Sequence, residues 1–215
     1  MENKASSFGQ FHSLERDVSN MSNDGKKKLK ISSIVLLLLV IAAIAIVVVI
    51  CVQYSQRSKN EEAVQEVVAE IKEIPASDET RYIQYEGYQV IGTIQIPKLN
   101  IEYPILVEST EDSLTKSISR VGDGKVNEVG NLTLAGHNYI DGTMFGRIDE
   151  LENGDEIVIL DLYGNSVKYS VFNQYVTNPD DVSVLDATEE GTREVTLVTC
   201  TNGNSNRLII KAKEA

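Results

Sequence analysis

An uninterrupted apolar segment lies near the start of the chain, where 19 consecutive apolar residues run from Ile34 to Val52. As a helix this segment would be about 28 Å long, close to the thickness of a bilayer core. Four lysines precede it within residues 26–30, whereas only two basic residues follow closely, within residues 57–59. The positive-inside rule therefore predicts a cytoplasmic N-terminus and an extracellular remainder. The alternative is a cleaved signal peptide, but the late start and the lack of a small-residue cleavage site favour an uncleaved anchor.

A helical stem is predicted next, over residues 60–74. Its apolar residues repeat every three or four positions, with glutamates on the other face: Val64, Val67, Val68, Ile71 and Ile74. Pro75 ends this helix. The apolar stripe either packs on the following domain or pairs with a partner, and we favour packing.

Short alternating apolar segments replace the helical pattern from about residue 80. Turn residues bound these predicted strands: Val90–Ile96, Ile101–Leu106, Leu132–Ala135, Ile157–Leu160, Val167–Phe172, Val195–Thr199 and Leu208–Ala212. Tyr163-Gly164-Asn165 has the composition of a hairpin turn. One short helix is predicted around Met144–Leu151, because Met144, Ile148 and Leu151 would share a face. Many strands and few helices indicate an all-β barrel or sandwich.

Charge is distributed unevenly over the 215 residues, whose formal net charge is -12. Residues 1–59 contain eight basic and four acidic residues, and the remainder contains twelve and twenty-eight. Nucleic acid is an improbable partner for so acidic a domain, since phosphate binding requires a basic face. The predicted organisation is a cytoplasmic tail, a membrane anchor, a partly helical stem and a catalytic domain, over residues 1–30, 31–53, 54–80 and 81–215.

The scarce residues divide between compartments. Cys51 lies in the apolar segment, which leaves Cys200 without a disulfide partner in the predicted extracellular domain, and His137 is the histidine of that domain. A lone exported thiol is either a buried structural cysteine or a functional one. Cys200 follows an apolar strand and precedes a small polar loop, which suits a nucleophile. Arg207 opens the next strand, and it would return near Cys200 if the two strands pair, where it could stabilise an oxyanion. His137 then becomes a candidate acid and base.

The order of these residues distinguishes between families of cysteine enzymes. In papain-like enzymes the histidine follows the cysteine by more than a hundred residues, but only fifteen residues follow Cys200 here. The segment Thr196-Leu197-Val198-Thr199-Cys200 with Arg207 closely resembles the signature of sortases, the membrane-anchored cysteine transpeptidases of Gram-positive bacteria. Gly136-His137-Asn138 resembles their histidine motif, and residues 91–105 resemble their opening strands.

The resemblance implies a closed eight-stranded β-barrel with short helices after a transmembrane helix. From the residues themselves we expect neither a cofactor nor a metal. It implies that Cys200 attacks the Thr–Gly bond of a Leu-Pro-x-Thr-Gly-like sorting signal to form an acyl-thioester. His137 would transfer protons and Arg207 would stabilise the oxyanion. The implied partners are surface proteins that carry the signal, with a peptidoglycan precursor or a pilin lysine as the acceptor amine. The membrane is contacted through residues 31–53.

The loop over residues 176–194 is expected to help form the substrate groove. Val182, Val184 and Leu185 are its candidate apolar lining, and Thr199 is a further candidate substrate-binding residue. The layout resembles sortase classes A and D, with class B-like features after His137. Two rivals stay open: a non-enzymatic anchored adhesin or assembly scaffold in which Cys200 is structural, and an anchored peptidase that does not transfer its product.

Overall fold

A computed structural model describes residues 33–73, 82–201 and 203–215. The predicted cytoplasmic tail, together with Ile74 and Pro75 at the end of the stem, lies outside these residues. The chain divides into two compact units, Met1–Tyr54 and Ser55–Ala215. Helix α1 runs from Ser33 to Glu73. Among the described residues, it is the one helix that is long enough and apolar enough to cross a membrane.

The second unit is built mainly from short strands. Within the described residues these are β1 Gln84–Tyr85, β2 Tyr88–Ile96, β3 Ile101–Leu106, β4 Ile118–Val121, β5 Gly130–Ala135, β6 Glu156–Asp161, β7 Ser166–Thr177, β8 Arg193–Thr201 and β9 Asn206–Glu214. A short helix, α2, spans Glu111–Lys116, and its first turn is closed by a reciprocal capping box between Thr110 and Ser113. Single 3-10 turns span Pro97–Leu99, Ile148–Glu150 and Val182–Leu185.

Eight of the strands close into a barrel. The neighbour order is β2-β3-β4-β5-β8-β9-β7-β6, and β6 pairs again with β2, so the sheet returns on itself; β1 only extends one end of β2. The pairs β3–β4 and β5–β8 are parallel, and the others are antiparallel. Closure removes the free sheet edges. The predicted eight-stranded barrel is confirmed.

Each predicted strand corresponds to an observed one, and the predicted turn at Tyr163–Asn165 joins β6 to β7. The sequence pattern missed α2 and the two strands β1 and β4. The helix predicted around Met144–Leu151 is wrong, since the described structure has only the 3-10 turn Ile148–Glu150 there and Met144 has a left-handed φ of 50°. The apolar residues of this segment are nevertheless buried. A compact loop thus places them in the core at spacings that resemble a helical face.

The stem segment, residues 55–73 of α1, packs against the barrel. Val64, Val68 and Ile71 are at most 4% exposed and belong to the same hydrophobic cluster as the barrel core. Polar contacts reinforce this packing: Lys72 forms an ion pair with Glu102 at 2.7 Å, and the Tyr103 hydroxyl donates to the Glu61 carboxylate at 2.8 Å. Of the two expectations for the apolar stripe, packing on the domain is the one observed.

Truncation of the buried stripe should destabilise the whole domain. We expect Ile71→Ala to lower the free energy of unfolding by about 2–5 kcal/mol, because it removes buried methyl groups and leaves a cavity. The exposed Glu70→Ala is the matched control and should unfold like the unmodified chain. Urea unfolding in detergent micelles, followed by tyrosine fluorescence, measures both. Equal midpoints for the two variants would contradict the packing of the stem.

Candidate active site

The parallel pair β5 and β8 brings His137 and Cys200 to the same end of the barrel. Ala135 lies opposite Val198 in the register of this pair. The contact continues beyond β5, because the Gly136 amide donates to the Val198 carbonyl at 3.2 Å. His137 follows Ala135 by two residues, and Cys200 follows Val198 by two residues. Because the two strands are parallel, positions that follow a paired position by the same number of residues stay side by side. His137 and Cys200 therefore lie at neighbouring backbone positions.

A further hydrogen bond joins the backbone next to His137 to the residue that precedes Cys200. The Thr199 hydroxyl is buried and donates to the Gly136 carbonyl at 2.7 Å. Gly136 has no room for a side chain, since a Cβ there would lie 2.6 Å from Ile118 Cδ1 and 2.8 Å from Phe145 Cδ2. The glycine before the histidine therefore permits close packing. Thr199 holds the two strands together here, and its role in substrate binding stays a prediction.

Asn138 joins the histidine loop to the cysteine strand, a contact that the sequence analysis missed. Its side-chain amide donates to the Cys200 carbonyl at 2.9 Å. On the other side of the loop, the Phe145 amide donates to the His137 carbonyl at 3.1 Å. The loop is thus bonded to the barrel both before and after the histidine. The sequence signal was only the position of Asn138 next to His137.

Arg207 lies directly across from Cys200 in the antiparallel pair β8–β9. This confirms the strand pairing on which its predicted position depended. Its guanidinium Nη1 donates to the carbonyls of Asn204 and Asn206 at 3.2 and 3.1 Å. Cys200 and Arg207 are both half-buried. The thiol and the guanidinium are therefore borne by paired residues, next to the loop that joins their strands.

The electrostatic surroundings of His137 favour its neutral form. The imidazole is half-buried, and its ring centroid lies 5.0 Å from that of Tyr139, with the two planes tilted by 45°. Burial lowers the pKa of His137 from its ordinary value, and the nearby positive charge of Arg57 lowers this pKa further. At neutral pH the side chain is therefore poised to accept a proton rather than to carry one.

A cavity of about 260 Å³ lies beside Arg207. The three candidate groove residues Val182, Val184 and Leu185 all line it. Apolar barrel residues complete much of its wall: Val121, Ala135, Val198 and Ile209. A larger cavity, of about 610 Å³, is lined in part by Arg193 at the start of β8, and neither cavity has Cys200 or His137 in its lining. Within the described residues no cluster of His, Cys, Asp and Glu has the make-up of a metal site.

Buried polar residues fix the loop that forms one wall of the 260 Å³ cavity. The Asn131 side chain donates to the Val184 carbonyl at 2.9 Å and accepts from the Thr196 hydroxyl at the same distance. The Lys211 ammonium, on a residue only 6% exposed, donates to the Asp186 carbonyl at 2.9 Å. No local sequence pattern indicates these contacts, which join residues far apart in the chain.

The family model of the sortase domain matches residues 94–215. The chain belongs to the sortase family. Sortase A of Bacillus anthracis is 37% identical to it over 125 residues, which are 57% of this chain and 58% of that relative. Sortase D of Bacillus subtilis is 34% identical over 116 residues, 54% of this chain and 56% of that relative. The matches thus span less than two thirds of either curated sortase.

A solved sortase structure extends the similarity to the fold. The Clostridium perfringens Sortase D5 transpeptidase superposes with a TM-score of 0.61 at 31% identity, over 74% of this chain and 99% of that chain. This alignment includes more of the chain than the family model does. The barrel that carries Cys200, His137 and Arg207 therefore has the sortase fold.

Loss of the Lys211 contact should loosen the cavity wall of this sortase. In Lys211→Met the aliphatic packing is retained but the bond to Asp186 is lost, and a hydrogen bond from a charged group contributes about 1.5–3 kcal/mol. We expect amide hydrogen exchange in residues 184–190 to accelerate by roughly tenfold or more. Lys213→Met on the same strand, at an exposed position, is the matched control. Identical exchange of this loop in both variants would refute its attachment through Lys211.

Proposed function

We propose that the protein is a membrane-anchored cysteine transpeptidase that cleaves a Leu-Pro-x-Thr-Gly-like sorting signal and transfers the signal-bearing protein to an amine. One observation carries the proposal: the register of β5, β8 and β9 brings His137, Cys200 and Arg207 to one end of the barrel. Membership of the sortase family supports it. Similarity to a Sortase A and a Sortase D supports a class A-like or D-like layout.

In the first half-reaction the Cys200 sulfur attacks the carbonyl carbon of the Thr–Gly bond as the thiolate. Neutral His137 takes up the thiol proton, and Arg207 donates to the oxygen that becomes negative. Collapse of this intermediate breaks the carbon–nitrogen bond. The leaving glycine amine receives the proton from His137, and a thioester remains on Cys200.

In the second half-reaction an amine replaces the leaving peptide. His137 removes a proton from the incoming amine, whose nitrogen attacks the thioester carbon. The carbon–sulfur bond then breaks, which restores the Cys200 thiolate and leaves a new amide. A peptidoglycan precursor or a pilin lysine is the acceptor we propose.

The 260 Å³ cavity suits the apolar part of the signal. Val182, Val184 and Leu185 supply its apolar wall, and Arg207 borders it. A leucine and a proline would bury apolar surface there. The attachment of the cavity wall through Asn131 and Lys211 supports a groove formed before the substrate binds.

The apolar segment at Ile34–Val52 supports a single-pass anchor. The lysines of residues 26–30 support a cytoplasmic N-terminus and an extracellular catalytic domain. The barrel would then bind its substrates on the extracellular side of the cell membrane.

A peptide assay with and without an amine tests this function. The full chain in detergent micelles should cleave a fluorogenic Leu-Pro-x-Thr-Gly peptide, and added triglycine should yield a ligated product. Cys200→Ala should abolish both reactions, because it removes the attacking sulfur, whereas Cys51→Ala should leave them intact. Mass spectrometry of the products provides the measurement.

Each rival gives a different result in this assay. An anchored adhesin or scaffold would cleave no peptide. An anchored peptidase would cleave the peptide but form no ligated product with triglycine. Undiminished turnover by Cys200→Ala would contradict the mechanism itself.

A further inference from the structure

The stem segment reaches the histidine loop through Arg57. Its guanidinium Nη1 forms an ion pair with Asp141 Oδ2 at 2.8 Å. The guanidinium carbon also lies 3.3 Å from the centroid of the Tyr139 ring, in a cation–π contact. Tyr139 in turn lies against His137, at a ring separation of 5.0 Å. A continuous stack thus runs from the stem to the imidazole.

Arg57 belongs to the face of the stem that is fixed to the barrel. Residues on this face recur every three or four positions: Arg57, Glu61, Val64, Val68 and Ile71. Glu61 accepts from the Tyr103 hydroxyl, and this hydroxyl accepts from the Met144 amide at 3.0 Å. The stem therefore contacts the histidine loop near Tyr139 and Asp141, and through Tyr103 near Met144.

Stability alone does not account for the placement of Arg57. The Arg57–Asp141 ion pair is partly solvent-exposed, and such pairs stabilise a fold only slightly. The Nη2 of Arg57 is buried and has no hydrogen-bond partner in the described structure, which is unfavourable. The Arg57 guanidinium nevertheless lies on the Tyr139 ring, which is next to His137. This placement indicates a role in the candidate active site.

We infer that Arg57 is a positioning residue for His137, acting through Tyr139 to hold the imidazole in place. The inference rests on the proposed function, in which neutral His137 accepts the thiol proton. The flat guanidinium restricts the Tyr139 ring, and that ring restricts the imidazole. The membrane-proximal stem is thereby a part of the active site as well as a connection to the anchor.

The charge environment of His137 sets the direction of the expected effect. The titratable and charged groups of the elements around this loop are Arg57 and Glu61 on the stem, Tyr139 and Asp141 on the loop itself, and Cys200 and Arg207 on the barrel strands. Burial is the first cause of the lowered pKa of His137, and the positive charge of Arg57 is the second. Removal of this charge raises that pKa, so the neutral fraction at a given mildly acidic pH falls.

The test compares three variants of the full chain in detergent micelles. Arg57→Gln removes the charge, Arg57→Lys keeps the charge without the flat guanidinium, and Lys59→Gln removes an exposed charge from the same helix as a control. In a His12→Gln background, His137 is the histidine whose titration NMR follows. Near-UV circular dichroism verifies that each variant is folded.

We expect Arg57→Gln to raise the titration midpoint of His137 and to shift the acidic limb of the pH–rate profile to higher pH. The same variant should lower kcat by about tenfold with little change in KM. Arg57→Lys should keep the midpoint near that of the unmodified chain but lose part of the rate. Lys59→Gln should change neither quantity.

An unchanged midpoint and kcat in Arg57→Gln would overturn the inference, as would equal changes in Arg57→Gln and Lys59→Gln. If Arg57→Gln does not fold, an unaltered kcat in folded Arg57→Lys would overturn the positioning role. Failure of the unmodified chain to cleave the peptide would instead refute the proposed function, and the NMR midpoints would still show whether Arg57 acts on His137.

Discussion

The parallel pairing of β5 with β8 is the constraint on which the site depends. Parallel strands place successive residues side by side at the same end, so Gly136 bonds to Val198 and is itself held by Thr199. The backbone positions of His137 and Cys200, each two residues beyond the Ala135–Val198 pair, are thereby held at the same end of the two strands. Closure of the barrel keeps β8 and β9 in place, so the arrangement inherits the rigidity of the core.

Polar side chains extend this rigidity to the loops around the site. Asn138 attaches the histidine loop to Cys200, and Lys211 attaches the wall of the cavity to β9. Asn138 lies just beyond the end of β5, whereas Lys211 lies within β9 and is paired with both neighbouring strands. The stem adds Arg57 from outside the barrel. The candidate site of this sortase therefore draws residues from the strands, from two loops and from the stem segment of α1.

Local sequence patterns predicted the strands because alternation reports which residues face the core. They missed β4, in which Ser119 is buried and polar and therefore interrupts the apolar pattern. They gave a wrong helix near Met144, since a loop that is bonded to the Tyr103 hydroxyl buries apolar residues at helical spacing. The Cys200–Arg207 pairing followed from adjacent strands, whereas the stack of Arg57 on Tyr139 joins distant parts of the chain and has no local signature.

We propose that Cys200, held by this strand register, is the nucleophile that carries the substrate as a thioester. Intact-mass analysis of the full chain, quenched in acid during turnover of a Leu-Pro-x-Thr-Gly peptide without added amine, tests it most directly. We predict an adduct with the mass of the acyl fragment up to threonine, mapped to Cys200 and absent from Cys200→Ala. Cleavage without such an adduct, or an adduct on Cys51, would contradict the account.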